Sequence, residues 1–194
     1  MPVEPHTHYP GRPHPCDDPQ LHLSVTLFQF RDAMNDSSCQ PSILRGFFVE
    51  HDPVCVEHGP SDIDGLPFLG RPFRGEPAIL EYFSLIGTVL KGRGSNFDDD
   101  SLLVRIAEKD HVHTARAIWT GTATWSAQET GKEWDEAVVW AFDLLREGRE
   151  WKIQKWEVWA GACREIAALI ARAPNSIPGT HLFLVSAFDR TQIL

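Results

Sequence analysis

The chain has 194 residues, 42% of them hydrophobic and 23% charged, which is typical of one globular domain with tails. Its formal net charge of −9 argues against a nucleic-acid partner, because proteins that bind phosphate backbones present a basic surface. No stretch has the ~20 consecutive apolar residues that cross a bilayer, and Met1–Pro15 lacks the apolar core of a signal peptide, so we expect no membrane partner and a cytoplasmic location.

Residues 1–20 are rich in proline and histidine and poor in aliphatic side chains. Such a segment cannot bury enough apolar surface to order itself, so we predict a disordered tail. It carries four side chains that can ligate metals, His6, His8, His14 and Cys16. A mobile tail seldom holds ligands in a fixed geometry, and we expect no metal site there. The four cysteines of the chain have no CxxC spacing and are predicted to be free thiols.

Three segments of the N-terminal half have the apolar spacing of helices. The first, Leu21–Met34, predicts a helix of about four turns. A shorter helix is predicted over Ser42–Phe48, and a third over Glu76–Leu90. Gly92 and Gly94 are expected to end the third helix.

The strands are predicted from two-residue periodicity and from short runs of β-branched and aromatic residues. They are Val54–His58, Leu102–Ala107, His111–Ser126, Glu133–Leu145 and Trp151–Ala160. The last four follow one another through short turns, which predicts an antiparallel meander. The helices must then cover the apolar face of this sheet, because nothing else can. We therefore predict an α+β fold, in which a strongly curved antiparallel sheet forms a cone (an α+β barrel) covered by three helices.

Two stretches carry a resemblance to a known family. One runs from Val54 to Leu85 and contains PVCVEHGP and PFLGRPFRGEPAILEYF; the other is KEWDEAVVWAFDLLREGREWKIQKWEVWA. Both resemble the SnoaL-like branch of the nuclear transport factor 2-like superfamily, and the similarity extends over roughly residues 21–170. The chain departs from many relatives in one respect, because Gly161 follows the Trp-Ala pair where they carry an acidic residue.

The resemblance implies a cone whose interior takes a small hydrophobic molecule. Enzymes of this superfamily include polyketide cyclases, dehydratases, isomerases and epoxide hydrolases, while other members only bind ligands or act as scaffolds. Relatives often pair through the outer face of the sheet, which implies a homodimer. No Gly-rich phosphate loop or nucleophile elbow stands out in the sequence, so we expect no cofactor.

Proton transfer inside an apolar cone needs an ionisable group whose charged form is disfavoured by desolvation. His58 ends the first strand at the predicted mouth, where similar sequences often carry a histidine, and is the leading general acid or base. Glu136 shares a strand face with tryptophans, whereas Asp135 and Asp143 lie on the other face. If the tryptophan face points inward, Glu136 is buried and can pair with His58 or accept a substrate proton. If it points outward, Asp135 and Asp143 are the candidates, and periodicity leaves both arrangements open.

Tryptophan is more frequent in these strands than sheet packing requires, so at least two of the tryptophans are expected to lie at a cavity or at an interface. The predicted pocket residues are Trp119, Trp125, Trp140, Trp156, Tyr82 and Phe83. His111 and His113 have the His-x-His spacing of a metal site, but no third ligand is identifiable and no metal is predicted.

The C-terminal part begins with a predicted helix, Cys163–Arg172, which closes the cone domain of residues 21–172. In the extension 173–194, Leu182–Phe188 is apolar and β-prone, and a strand of that composition must cover something. A lid over the mouth and an arm on a partner subunit both remain open.

Two functions are compatible with the sequence. One is a cofactor-independent lyase, isomerase or cyclase that acts on a polyketide- or terpenoid-like metabolite. The other is a non-catalytic small-molecule-binding or dimerisation module that uses the same cavity.

Overall fold

The computed structural model describes residues 18–59, 61, 66–129, 131–161 and 181–184. Within them it has three α-helices and eight strands. In chain order they are α1 (Pro19–Asn35), α2 (Pro41–Arg45), β1 (Val54–His58), β2 (Pro72–Arg74), α3 (Glu76–Val89), β3 (Leu90–Phe97), β4 (Leu103–Lys109), β5 (Val112–Ala127), β6 (Glu133–Glu147), β7 (Glu150–Ala160) and β8 (His181–Leu184).

The first helix begins earlier than the sequence predicted. The carboxylate of Asp18 caps it by accepting a hydrogen bond from the backbone N–H of Gln20 at 2.9 Å. The carbonyl of Pro19 accepts a second bond, from the indole N–H of Trp151 at 2.8 Å, which joins the start of α1 to β7. Helix α1 and its cap therefore begin at Asp18, within residues 1–20 that were predicted as a disordered tail. Residues 1–17 lie outside the described part.

All eight strands belong to one sheet, in the order β2-β1-β7-β6-β5-β4-β8, with β3 also paired to β5. Helices α1 and α3 cover one face of it, which we call the inner face. That face carries Trp119, Trp140 and Trp156 into a continuous core with Leu27 of α1 and Ile79 of α3. The opposite, outer face carries the threonines of β5. The predicted α+β cone is confirmed.

The sheet is mixed, whereas the prediction made it wholly antiparallel. β1 runs parallel to β7, with Cys55 opposite Trp156 and His58 opposite Trp159. The meander β4–β7 is antiparallel because short turns reverse the chain between neighbours. No turn joins β1 to β7, so their relative direction is set by the fold and not by local sequence.

A strand was missed between Leu90 and Phe97. Gly92 and Gly94, predicted to end the third helix, lie inside β3, which pairs antiparallel to β5 with an irregularity between them. A Cβ added to Gly121 of β5 would collide with the carbonyl oxygen of Asn96, so glycine is required where β3 lies across β5. The two glycines predicted to end the helix therefore lie at an irregularity of β3 instead.

The predicted helix Cys163–Arg172 lies outside the described residues, as does most of the extension 173–194. His181–Leu184 form β8, which pairs antiparallel to β4 at the edge of the sheet. Cys39 and Cys55 are free thiols. No helix among the described residues is both long enough and apolar enough to cross a membrane.

Candidate active site

A glutamate and a tyrosine meet on the inner face beside β1. Because side chains alternate along a strand, Glu57 lies on the same side as Cys55, which is fully buried against the helices. Helix α3 buries Tyr82 opposite, in edge-on or tilted contact with Phe73 and Phe68. The phenol of Tyr82 donates a hydrogen bond of 3.0 Å to Oε2 of Glu57.

Burial of this pair changes the acidity of both groups. It raises the pKa of Glu57 from 4.5 to about 7; the hydrogen bond from Tyr82 opposes the rise, and the charge of Glu136 adds to it. Burial and the neighbouring Glu57 also hold the pKa of Tyr82 well above its usual range. At neutral pH the tyrosine is therefore a proton donor in its hydrogen bond, while Glu57 can both take up and release a proton.

Glu136 provides a second carboxyl on the inner face. It lies on the face of β6 that carries Trp140, whose side chain is only 4% exposed in the core. The structure thus decides between the alternatives left by periodicity: the tryptophan face points inward. Burial raises the pKa of Glu136, although the hydrogen bonds that its carboxylate accepts from Trp125 and Trp134 partly oppose the rise.

Asp135 and Asp143 lie on the outer face. Asp135 accepts a hydrogen bond of 2.6 Å from the hydroxyl of Thr124 on the neighbouring strand. Asp143 forms an ion pair of 3.1 Å with Arg116. Burial raises the pKa of Asp143, and Arg116 works against that rise. Neither carboxylate shares a face with Glu57.

His58 also points to the outer face, because it follows Glu57 on the same strand. Its ring stacks on Trp159 at 4.3 Å, and its Nε2 lies 3.1 Å from Oε1 of Glu157. The expected approach of His58 to Glu136 therefore does not occur. The prediction placed His58 in the mouth from its position at the strand end, but strand alternation gives the inner position to Glu57.

Glu157 is the centre of an outer charge network, which also includes His58, Lys155, Arg116 and Asp143. Its side chain is 10% exposed, and its carboxylate lies 2.8 Å from Nζ of Lys155 and 3.6 Å from Nη2 of Arg116. Burial acts to raise the pKa of Glu157, but the hydrogen bonds from Lys155 and His58 and the charge of Arg116 outweigh it, and the pKa is lowered. At neutral pH the Glu157 carboxylate is therefore ionised and paired within the network.

Most predicted pocket residues are packed against other aromatic rings in the core. Trp140 stacks on Phe97 at 3.9 Å, and Trp156 stacks on Phe83 at 5.6 Å. The deeply buried members of the predicted set are Trp119, Trp140, Trp156, Tyr82 and Phe83. Trp125 is partly exposed, opposite Gly92 of β3. Their contact with a ligand stays a prediction.

His111 and His113 flank the start of β5, and His111 lies in the turn before it with φ 64°. Both approach the carboxylate of Glu108, at 4.0 and 3.8 Å. The part of the chain that the structure describes has no group of three or more His, Cys, Asp or Glu side chains able to hold a metal ion.

Glu57 was not among the predicted site residues. The sequence did indicate that Glu57 lies on the same face as Cys55, because the two residues are two positions apart on a strand that was predicted correctly. Its partner Tyr82 was predicted as a pocket residue, but nothing in the sequence links two residues that lie 25 positions apart.

Three solved structures share the architecture of this chain. A ketosteroid isomerase-like protein from Erwinia carotovora atroseptica superposes with a TM-score of 0.52 at 13% identity, covering 74% of this chain and 97% of the other. A candidate scytalone dehydratase from Novosphingobium aromaticivorans gives 0.52 at 15%, covering 73% and 83%. Aln2 from a Streptomyces species gives 0.50 at 15%, covering 82% and 99%.

The chain has the nuclear transport factor 2-like fold. The resemblance drawn from the sequence motifs is confirmed at the level of fold, and at these identities the likeness shows the fold alone. No protein-family model matches the chain, and no curated protein matches it in sequence. In this nuclear transport factor 2-like cone, the structure brings Glu57 and Tyr82 together on the inner face, and Glu136 lies near enough for its charge to act on Glu57.

Proposed function

We propose that the protein is a cofactor-independent isomerase or dehydratase that acts on a small hydrophobic, polyketide- or terpenoid-like molecule. The observation that carries this proposal is the Glu57–Tyr82 pair, a desolvated carboxyl with a pKa of about 7 held by a buried phenol at 3.0 Å. A general base works best when its pKa lies near the operating pH. The nuclear transport factor 2-like fold, shared with a ketosteroid isomerase-like protein and a candidate scytalone dehydratase, supports the same reaction class.

Glu57 acts as the proton carrier in this proposal. Its carboxylate takes a proton from an activated carbon of the substrate and returns it to a different carbon, which isomerises the molecule, or to a leaving hydroxyl, which eliminates water. Tyr82 orients the carboxylate through its hydrogen bond. Burial is the main reason why the pKa of Glu57 is high, and the negative charge of Glu136 adds to the rise because it disfavours a second carboxylate nearby.

Hydrogen–deuterium exchange tests the proton transfer without knowledge of the natural substrate. The acidic C–H protons of 2-tetralone, a small apolar ketone, are followed by proton NMR in D₂O. The protein should accelerate their exchange, and the rate should rise with pH through about 7 as Glu57 ionises. Glu57→Gln should lower the rate about 10²–10⁴-fold, the usual contribution of a general base.

The matched control is His58→Gln, the adjacent residue on the same strand. Because His58 points to the outer face, this variant should exchange 2-tetralone within about twofold of the wild type. A large loss in His58→Gln with none in Glu57→Gln would restore the base predicted from the sequence and refute the geometric assignment.

The alternative is a non-catalytic small-molecule-binding module of the same fold. The close packing of Trp140 on Phe97 and of Trp156 on Phe83 leaves less room on the inner face for a reacting substrate, which favours a non-catalytic role. Binding of 2-tetralone without accelerated exchange, at equal strength in the wild type and in Glu57→Gln, would support this alternative.

We also propose a homodimer that pairs through the outer face. The outer charge network carries both signs, so the face can complement its own copy, and the Arg116 side chain is 49% exposed. Light scattering should give twice the chain mass, and Arg116→Glu should shift the protein toward the monomer. Asp32→Lys, a charge reversal on the exposed side of α1, which covers the opposite face, is the control and should leave the mass unchanged. A monomeric wild type would exclude this pairing.

A further inference from the structure

A cleft of about 380 Å³ lies between helix α1 and the start of β7, and we call it the α1–β7 cleft. Its volume is within the range of ~300–1,000 Å³ that ordinarily holds a small molecule. One wall is a single face of α1, because residues three and four positions apart share a helix face. That wall consists of His22, Val25, Thr26 and Gln29. The other walls are residues 46–47, which follow α2, and residues 149–152, which form the β6–β7 turn and the start of β7.

The α1–β7 cleft is remote from the Glu57–Tyr82 pair. Glu57 lies opposite Val158 in the parallel pairing of β1 with β7, and Val158 is six residues beyond Lys152. Six residues of strand extend ~20 Å. The cleft is therefore separate from the ionisable groups of the inner face.

Lys152 brings a positive charge to the cleft. Its ammonium donates a hydrogen bond of 3.2 Å to the carbonyl oxygen of Gly46, which holds it against the neighbouring wall. Its second contact, with Oε2 of Glu150 at 3.0 Å, is an exposed ion pair, because the Glu150 side chain is 72% exposed. Such a pair contributes little free energy and can exchange for a ligand carboxylate. The Lys152 side chain is itself 26% exposed, so a ligand can reach it.

The cleft combines positive charge with apolar surface. Its charged lining residues are Lys152, Arg149 and Glu150, an excess of positive charge on a chain whose formal net charge is −9. Val25 and Phe47 supply apolar surface, and both are only partly buried. A small anion with an apolar body complements both properties.

We infer that the α1–β7 cleft is a second ligand site, which binds a small carboxylic acid carrying an apolar ring. The ring lies against Val25 and Phe47, and the carboxylate accepts a hydrogen bond from the ammonium of Lys152. His22 provides a further polar contact. Its Nδ1 lies 3.0 Å from the carbonyl oxygen of Arg149, so Nδ1 carries the hydrogen and Nε2 is left for a polar group of the ligand.

The charges of the two sites favour different ligands. On the inner face the charge of Glu136 already disfavours ionisation of Glu57, so a ligand carboxylate is repelled there. In the α1–β7 cleft the same group meets Lys152. An aromatic acid should therefore bind without displacing a neutral molecule such as 2-tetralone from the inner face.

Fluorine NMR of the full-length protein tests the site, with 4-fluorobenzoate as the probe and 4-fluorobenzamide as its neutral counterpart. The wild type should bind 4-fluorobenzoate saturably and more tightly than 4-fluorobenzamide. Added salt should weaken only the binding of 4-fluorobenzoate, because it screens the attraction between charges. Absence of saturable binding, or equal affinity for the two probes, overturns the inference.

Variants of Lys152 test the contact with the carboxylate. Lys152→Gln should lower the affinity for 4-fluorobenzoate about fivefold, the upper end for an exposed ion pair, and leave that for 4-fluorobenzamide unchanged. Lys152→Arg keeps the charge and should bind like the wild type. The matched control is Lys91→Gln, since Lys91 is exposed and pairs with Ser126 at the far end of β5. Equal losses in Lys152→Gln and Lys91→Gln would mean that the probe responds to net charge alone, which contradicts a built site.

Backbone amide signals of the ¹⁵N-labelled protein locate the probe. Those of Phe47 and Lys152 should move on addition of 4-fluorobenzoate, whereas that of Glu57 should not. Val25→Glu places a carboxylate in the α1–β7 cleft and should abolish these movements. Signal changes centred on Glu57 and Tyr82 would put the acid on the inner face and refute the second site, whether or not Glu57 transfers protons.

Discussion

Replacing Glu57 by glutamine should change how the stability of the protein depends on pH. The pKa of Glu57 is about 7 in the folded protein, against 4.5 for an unperturbed glutamate. Between these two values the unfolded chain binds fewer protons than the folded one, so the stability of the wild type falls as the pH rises. The contribution of Glu57 is fully present below pH 4.5, declines as the pH rises, and is lost above pH 7.

The size of the effect follows from the same two values. A rise in pKa from 4.5 to about 7 disfavours the charged form in the folded state by about 3 kcal/mol. Glutamine carries no charge at any pH, and its amide oxygen can still accept the hydrogen bond from Tyr82. Glu57→Gln should therefore be more stable than the wild type by about 3 kcal/mol at pH 8 and by less than about 1 kcal/mol at pH 5.

Urea unfolding followed by tryptophan fluorescence at pH 5 and pH 8 measures this difference. The control is Glu147→Gln, an exposed carboxylate at the end of β6, which should change the free energy of unfolding by less than about 0.5 kcal/mol. An equal difference between Glu57→Gln and the wild type at both pH values would show that Glu57 is not desolvated. The argument for a base with a pKa near 7 would then fail.

Tyr82→Phe removes the hydrogen bond that lowers the pKa of Glu57, so the pH at which 2-tetralone exchange reaches half its maximum should rise. An unchanged midpoint would mean that the phenol does not contact the active carboxylate. Gly121→Ala should destabilise the protein by more than about 2 kcal/mol in urea unfolding, because its Cβ would collide with the carbonyl oxygen of Asn96. In helix α3, Gly87→Ala has open space around the new Cβ and should instead add about 0.5–1 kcal/mol; equal effects at the two positions would contradict the backbone approach of β3 to β5.

The two faces of β1 place the adjacent residues Glu57 and His58 in different environments. Glu57 faces an aromatic interior, where its charged form is disfavoured. His58 faces the outer charge network, where Glu157 and the stacked ring of Trp159 hold it. One strand thus separates a group able to exchange protons from a set of paired charges by alternation alone.

The structure also explains why prediction of the site was harder than prediction of the fold. Glu136 was placed on the tryptophan face correctly, but only the packing of Trp140 against Phe97 shows that this face is covered by the helices. Both faces of β6 carry apolar residues, so its periodicity gives no direction. Glu57 was not predicted because the position at the mouth was assigned to His58, which ends the strand where similar sequences often carry a histidine.

Local sequence determined the helices, the long strands and the turns that order β4 to β7, because these depend on side-chain period and on turn residues within a few positions. Only the tertiary structure decided that β1 pairs with β7 in the parallel direction. It also decided the contact of Glu57 with Tyr82, over 25 residues of chain, and that of His58 with Glu157, over 99 residues. The physical reason is that contacts between distant residues form only when helices and sheet pack together. Burial, and with it the pKa of a carboxyl group, is a property of that packing.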